Sequence, residues 1–230
     1  MAVADRMSDR MADEALRHQL VTVARRMNGT GLNQGTSGNL SVRIEGGLLV
    51  TPSSLPYEQM EVGDLVALDF SGQHLTQKQR RPSSEWRLHA DVLSCHPEAM
   101  AVLHCHPIHA TALACHDRGI PAFHYMVAVA GGDEIRCAPY ATFGTKELSD
   151  NVVNALAQRT ACLLARHGMV TLGKDLESAL RVAVEVETLA RMYLQALQLG
   201  EPPLLSTQQM QAVHAQFHGL HYGQADPSPR

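Results

Sequence analysis

The 230-residue chain lacks a clear surplus of either charge: 19 Lys and Arg stand against 23 Asp and Glu, a formal net charge of −4 with a pI near 6.3. That balance gives no electrostatic reason to expect nucleic acid as a partner. Long apolar runs are missing too. The opening stretch MAVADRMSDRMADEALRHQL alternates charge with small apolar residues, so neither a signal peptide nor a membrane span is expected, and a cytoplasmic location follows by elimination. The five cysteines, Cys95, Cys105, Cys115, Cys137 and Cys162, form no CxxC pair. Their odd number argues against a disulfide framework, and they read as buried, reduced thiols. Internal repeats and low-complexity linkers are absent as well, and only the tail GQADPSPR reads as unstructured. With 45% hydrophobic and 18% charged residues, what remains is an ordinary globular composition, best accommodated by one α/β unit.

Ala12, Ala15, Leu16, Leu20, Val23 and Met27 recur at helical spacing, which predicts an amphipathic helix over 9–27 with Ser8 as a possible cap. NLSVRIEGGLLVTPSS predicts a hairpin around Gly46 and Gly47, and DLVALDFSGQHL a second strand pair around Ser71 and Gly72. Trp86, Ala90 and Leu93 then share one helical face, with Ser83 or Ser84 placed to cap the first turn. AMAVLHCHP reads as a buried strand, Thr145 to Gln158 as a helix, ACLLARHG as a further strand, and Asp175 to Leu199 as a long helix ending at Gly200. This order predicts a mixed sheet covered by helices.

Chemistry is concentrated in the histidines. His104 and His106 lie two apart at a strand end, so their side chains share a face and their imidazoles can tilt onto one ion, while Cys105 faces the core. His167, after another apolar run, stands at a second strand end, where a sheet brings distant residues together. Three imidazoles leave a tetrahedral site one position short, the pattern of a catalytic zinc. His109 and His116 follow the strand on a helix or loop, and His89 and His96 lie near the helix that starts at Ser84. His18, His214, His218 and His221 sit in terminal segments, where a solvated or interface role is expected.

A second group of residues suggests an anion pocket. NQGTSGNLS sets Gly35 and Gly38 around two hydroxyls and an amide, a composition that lets backbone N–H groups approach a phosphate, or simply makes a turn. The pairs Ser53 with Ser54 and Ser83 with Ser84 add neutral donors, the second at a helix start that attracts anions. Glu85 follows directly. A carboxylate there is commonplace beside a helix dipole, but next to a bound phosphate and a metal it becomes a natural proton carrier.

Taken together, GLNQGTSGNLSVR, TPSSLPYE, PSSEWR, HCHPIH, IPAFHYMVAVAGG, CAPYATFGTKELS and HG make the chain resemble the class II aldolase and adducin-head family nearly end to end. The resemblance implies a single-domain three-layer αβα fold with a mixed, largely antiparallel central sheet over residues 1–222, followed by a flexible tail at 223–230. It implies Zn²⁺ held by His104, His106 and His167, with Glu85 as a fourth ligand that substrate displaces and that then serves as base and acid. Gly38, Asn39, Ser53, Ser54, Ser83 and Ser84 would bind the phosphate. Tyr125 would reach the site from a neighbouring subunit of a homotetramer whose active sites lie at subunit interfaces, assisted by the tail residue Tyr222. The family usually carries threonine and glycine where this chain has Ser53 and Ser54.

The implied reaction is reversible cleavage of a ketose 1-phosphate, such as L-fuculose 1-phosphate, to dihydroxyacetone phosphate and an aldehyde such as L-lactaldehyde. No lysine Schiff base is needed, and none of the few lysines lies in a suggestive motif. Neither nucleic acid nor membrane is an expected partner. Related 4-epimerases carry aspartate at the position of Glu85 and lack the HYM tyrosine pattern, which favours an aldolase. Aldolases for 5-deoxy- or 5-methylthio-ribulose 1-phosphate and a methylthioribulose-1-phosphate dehydratase share the histidines and pocket and stay open. A non-enzymatic interaction domain, as in the adducin head, should lack the metal ligands that this chain has.

Overall fold

The computed structural model describes residues 2–77 and 80–219. Tyr222, His221 and the 223–230 tail lie outside the described residues. The first helix, α1, runs over Ala2–Gly29. Ser8 is therefore inside the helix and does not cap it.

Strand alternation explains the layers. In β1 (Asn39–Ile44), Leu40 and Val42 face one apolar cluster, while Asn39 and Ser41 point to the other side. A turn at Gly46 leads to β2 (Gly47–Val50), paired antiparallel with β1 as the hairpin reading expected. The strand β3 (Val66–Asp69) pairs with β2. The second strand expected after Ser71 and Gly72 is reduced to one isolated bridge between Leu68 and His74. Asp69 is the reason: its carboxylate accepts from the backbone N–H of Ser71 and of Gln73, closing a local turn that competes with a ladder.

The helix α2 (Trp86–Cys95) buries Ala90 and Leu93 on one face as its periodicity predicts. Its N-cap is Glu85 rather than either serine; the Ser83 hydroxyl accepts from the Glu85 N–H at 3.2 Å, just outside the helix. An isolated bridge between Pro52 and Pro82 holds this approach extended and delays the start. Next come β4 (Ala101–Cys105), a short α3 (Ile108–Ala114), a 3-10 turn at Tyr125–Ala130, β5 (Arg136–Ala138) and α4 (Lys146–Ala155), capped by Thr145. The run expected as one strand at ACLLARHG is instead two: β6 (Ala161–Leu164) turns through Arg166, at φ 55°, into β7 (Gly168–Gly173). The helix α5 (Leu176–Leu197) starts at an Asp175 capping box, and α6 (Thr207–Gly219) follows.

The sheet order is β3-β2-β1-β4-β7-β6-β5; only β5 with β6 is parallel. One face packs on α1, α3 and α5 through residues such as Leu20, Leu103, Leu113 and Leu189, and the other on α2 and α4 through Leu93, Val102, Val152 and Val170. The expected three-layer αβα fold is thus present, with α6 attached beyond it on the 3-10 turn by Met210, Ala122 and Ala128. No helix among the described residues is long and apolar enough to cross a membrane.

Candidate metal centre and active site

Antiparallel register brings the histidines together. His104 on β4 lies opposite Asn39 of β1 and Val170 of β7, on the sheet face away from Cys105. Its Nδ1 donates to the Met169 carbonyl oxygen at 2.9 Å, which fixes the tautomer and turns the Nε2 lone pair inward. His106 follows one residue past the strand, and its Nε2 is 3.0 Å from that of His104. His167 enters from the β6–β7 turn. Gly168 allows this approach, because a Cβ there would meet the Cys105 carbonyl at 2.5 Å and the His106 ring at 2.6 Å.

Ligand atoms of His104, His106 and His167 lie within 4.8 Å of one another. Glu85, at the start of α2, adds Oε2 at 3.3 Å from His104 Nε2 and Oε1 at 3.5 Å from His167 Nε2. Donors about 2.0–2.1 Å from one tetrahedral ion are themselves roughly 3.3 Å apart, so these spacings suit a single cation. Glu85 Oε1 is buried with no hydrogen-bond partner, an orphan acceptor that a cation satisfies. The donor set fits a divalent metal of the borderline, nitrogen-preferring kind.

The electrostatics support that fit. Burial raises the Glu85 pKa, yet the charge and hydrogen bond of His104, with His167 and Asn39, overcome this and hold the carboxyl well below its usual range. Burial, then His104, lowers His106 to about 3 and His167 to about 4, which keeps both neutral and able to ligate. Burial also disfavours charge on His104, but Glu85 outweighs it and raises that pKa. Burial pushes the Cys105 thiol well above its ordinary range; facing the α5 side, it behaves as the core residue expected.

Asn39 is 4% exposed and donates through Nδ2 to Glu85 Oε2 at 2.9 Å. Its Oδ1 meets His89 Nε2, and His89 Nδ1 meets the Ser41 hydroxyl at 2.7 Å. Sequence reasoning set His89 aside. The available signal was its place four residues after Glu85, one turn along the same helix face.

The two serine segments lie near each other. The Ser83 N–H donates to the Thr51 carbonyl and the Thr51 N–H to the Leu40 carbonyl, so the ends of both serine loops lie beside the start of β1. Ser83 is buried, Ser53 half-buried, and Ser54 and Ser84 are exposed. Gly38, at φ 75°, closes the same corner; a Cβ there would meet the His104 carbonyl at 2.8 Å and Asn33 Oδ1 at 2.6 Å. Ser54 has φ 60°, a left-handed conformation that glycine adopts without cost.

Tyr125 is exposed at the start of the 3-10 turn, its ring against His124, and Tyr222 falls outside the described residues. His109 is bound by Glu187 of α5, which also accepts from the Ala110 N–H and so ties down the start of α3. His96 pairs with Glu98 and His214 with Asp133, each away from the cluster.

Known proteins resemble the chain over this whole frame. A 5-methylthioribulose-1-phosphate/5-deoxyribulose-1-phosphate aldolase of Rhodospirillum rubrum is 48% identical over 215 residues, 94% of this chain and 96% of its own length. The L-fuculose phosphate aldolase of Escherichia coli K12 is 45% identical over 208 residues, covering 90% and 96% respectively. A solved L-fuculose 1-phosphate aldolase superposes with a TM-score of 0.85 at 36% identity, over 89% of this chain and 96% of that one. The profile of the class II aldolase and adducin N-terminal domain matches residues 18–194, from within α1 to within α5. The chain therefore belongs to the class II aldolase family, whose metal-dependent chemistry the three-histidine centre suits.

Proposed function

We propose that the chain is a zinc-dependent aldolase that reversibly cleaves a ketose 1-phosphate to dihydroxyacetone phosphate and an aldehyde. The observation that carries this reading is the Glu85 carboxylate held against His104 and His167 of the three-imidazole cluster and directly beside Ser83. His104, His106 and His167 would hold the zinc, with Glu85 as the exchangeable fourth ligand. When bound, zinc supplies a Lewis acid that polarises the ketose carbonyl and stabilises the negative charge developing on it.

The protein's own groups manage binding and protons. Gly38, Asn39, Ser53, Ser54, Ser83 and Ser84 bind phosphate through neutral donors, without a cation that would compete for the substrate's other oxygens. In cleavage, Tyr125 contributed by a neighbouring copy takes the proton of the C4 hydroxyl. The C3–C4 bond breaks, the C4 oxygen becomes the aldehyde carbonyl, and the bonding electrons remain on C3. Glu85, protonated from solvent once substrate has displaced it, delivers that proton to C3, while Tyr125, which enters cleavage as the phenolate, passes the C4 hydroxyl proton on to solvent; in synthesis Glu85 removes the C3 proton and Tyr125 returns one to the new hydroxyl. Tyr222 assists from the tail. The site is shared in a homotetramer, and the enzyme works in the cytoplasm, where its five free cysteines stay reduced.

Two kinds of aldehyde are in contention. L-Fuculose 1-phosphate leaves the three-carbon L-lactaldehyde, whereas a 5-substituted ribulose 1-phosphate leaves a two-carbon aldehyde bearing hydrogen or a methylthio group. The 48% identity to the Rhodospirillum enzyme favours the second and the 45% identity to the Escherichia enzyme the first. Incubation with dihydroxyacetone phosphate and a panel of both aldehyde kinds, followed by product identification, separates them. No carbon–carbon bond formation with any member would reject the aldolase reading.

A further inference from the structure

The buried side chains behind Glu85 form a directed chain, of which the proposed reaction uses only Asn39. Asn39, Ser41 and His89 are 4%, 0% and 0% exposed, and His89 bridges the other two. The strand β1 supplies the first two from one face, since residues two apart point the same way. The helix α2 supplies His89 one turn after Glu85.

Hydrogen-bond chemistry allows the chain only one direction. The Asn39 amide donates from Nδ2 to Glu85 Oε2 and turns its carbonyl oxygen to His89. His89 Nε2 must then carry a proton. Burial, aided by His104, lowers the His89 pKa to about 3, so the ring is neutral and its Nδ1 accepts from the Ser41 hydroxyl. The polar atoms that the three side chains share are paired, while Glu85 Oε1, at the end of the chain, has no hydrogen-bond partner. That oxygen is the one nearest His167.

We propose that His89, backed by Ser41, is a positioning residue for the aldol reaction: it locks the Asn39 amide so that Glu85 Oε2 is held and Oε1 is presented to metal and substrate. Without the His89 donor, the amide can turn over and set its carbonyl oxygen against the carboxylate, which pushes Glu85 out of line. The idea rests on the proposed role of Glu85 as proton carrier. A buried histidine serving stability alone would make the same contacts but leave the chemistry unmoved.

Leucine at His89 removes both ring nitrogens, whereas the Gln amide nitrogen lies near the position of Nε2 and can still donate to Asn39. In full-length protein loaded with zinc, His89→Leu is expected to lower kcat roughly 10- to 100-fold. KM should stay within about threefold, and proton exchange at C3 of dihydroxyacetone phosphate should fall in parallel with kcat. His89→Gln is expected to recover most of the loss, and Asn39→Ala combined with His89→Leu to be no worse than the poorer single variant. His89→Leu with near-normal kcat at full zinc content, or His89→Gln no better than Leu, would overturn the proposal. Two readouts need no turnover. Imidazole ¹⁵N spectra of the unaltered protein should show His89 as the Nε2–H tautomer, and Nδ1–H would overturn the chain. A crystal structure of His89→Leu should show Glu85 displaced, and an unmoved Glu85 would count against it. If the unaltered protein cleaves no ketose phosphate, the functional reading fails while these two results still decide the hydrogen-bond chain.

Discussion

His104, His106 and His167 differ in how firmly each is held, and this decides what their loss should do. His106 has no backbone anchor like the Met169 carbonyl on His104, so its geometry depends on the ion and its neighbours. His106→Ala is expected to lose both metal and cleavage, measured by metal content after gel filtration together with product formation; activity without metal would contradict the assignment. Glu85→Gln keeps an oxygen near His104 but cannot carry the proton. It should retain metal while turnover falls roughly 100-fold or more, and C3 proton exchange should vanish with it. The triad was legible in the sequence because HxH at a strand end forces a shared face, and because His167 follows an apolar run. His89 was not, because its role depends on α2 lying across β1, a packing fact that the residues around His89 do not reveal.

At the scale of elements, the long apolar runs announced strands and helices well, and their punctuation less well. The turn between β6 and β7 was missed because Arg166 occupies a left-handed conformation that sequence reasoning assigns to glycine or asparagine. It is held there as its N–H donates to the Ala114 carbonyl and that of His167 to Leu164, contacts set by tertiary structure. The strand β5 is only three residues long, and α6 presents a single fully buried residue, Met210, so neither leaves much periodicity to read. Two substitutions separate a site element from a scaffold element. Gly38→Ala forces a Cβ against the His104 carbonyl at φ 75° and is expected to cost about 1–3 kcal/mol while disturbing activity. Asp175→Ala removes the oxygen that accepts from the Ser178 N–H at the start of α5. It should cost about 1 kcal/mol in urea denaturation while the activity of the folded protein stays unchanged.

For the whole molecule, burying neutral histidines sets the response to acid. His89, His106 and His167 fall to about 3, about 3 and about 4, from an ordinary value of 6.5. As pH drops below that ordinary value, the unfolded chain takes up protons that the fold refuses, so stability falls. Glu85, also lowered, extends the loss to still lower pH; His104, raised, opposes it and is outnumbered. Urea midpoints of chelator-treated protein should therefore decline steadily between about pH 7 and pH 4, and a flat profile would contradict the neutral assignments. The proposed sharing of the site between subunits has its own test. Glu85→Gln and Tyr125→Phe proteins, each weak alone, should regain activity when refolded together, because hybrids contain sites with both native groups; no recovery would place Tyr125 outside its neighbour's site.

Everything in the proposed chemistry depends on one cation held by three imidazoles. Zinc-edge X-ray absorption on protein purified without chelator measures that directly. The expected spectrum has one zinc per chain, with nitrogen and oxygen neighbours at about 2.0–2.1 Å and multiple scattering from three imidazole rings. A sulfur shell at about 2.3 Å, which would put a cysteine such as Cys105 in the coordination sphere, or a spectrum without imidazole scattering, would contradict it.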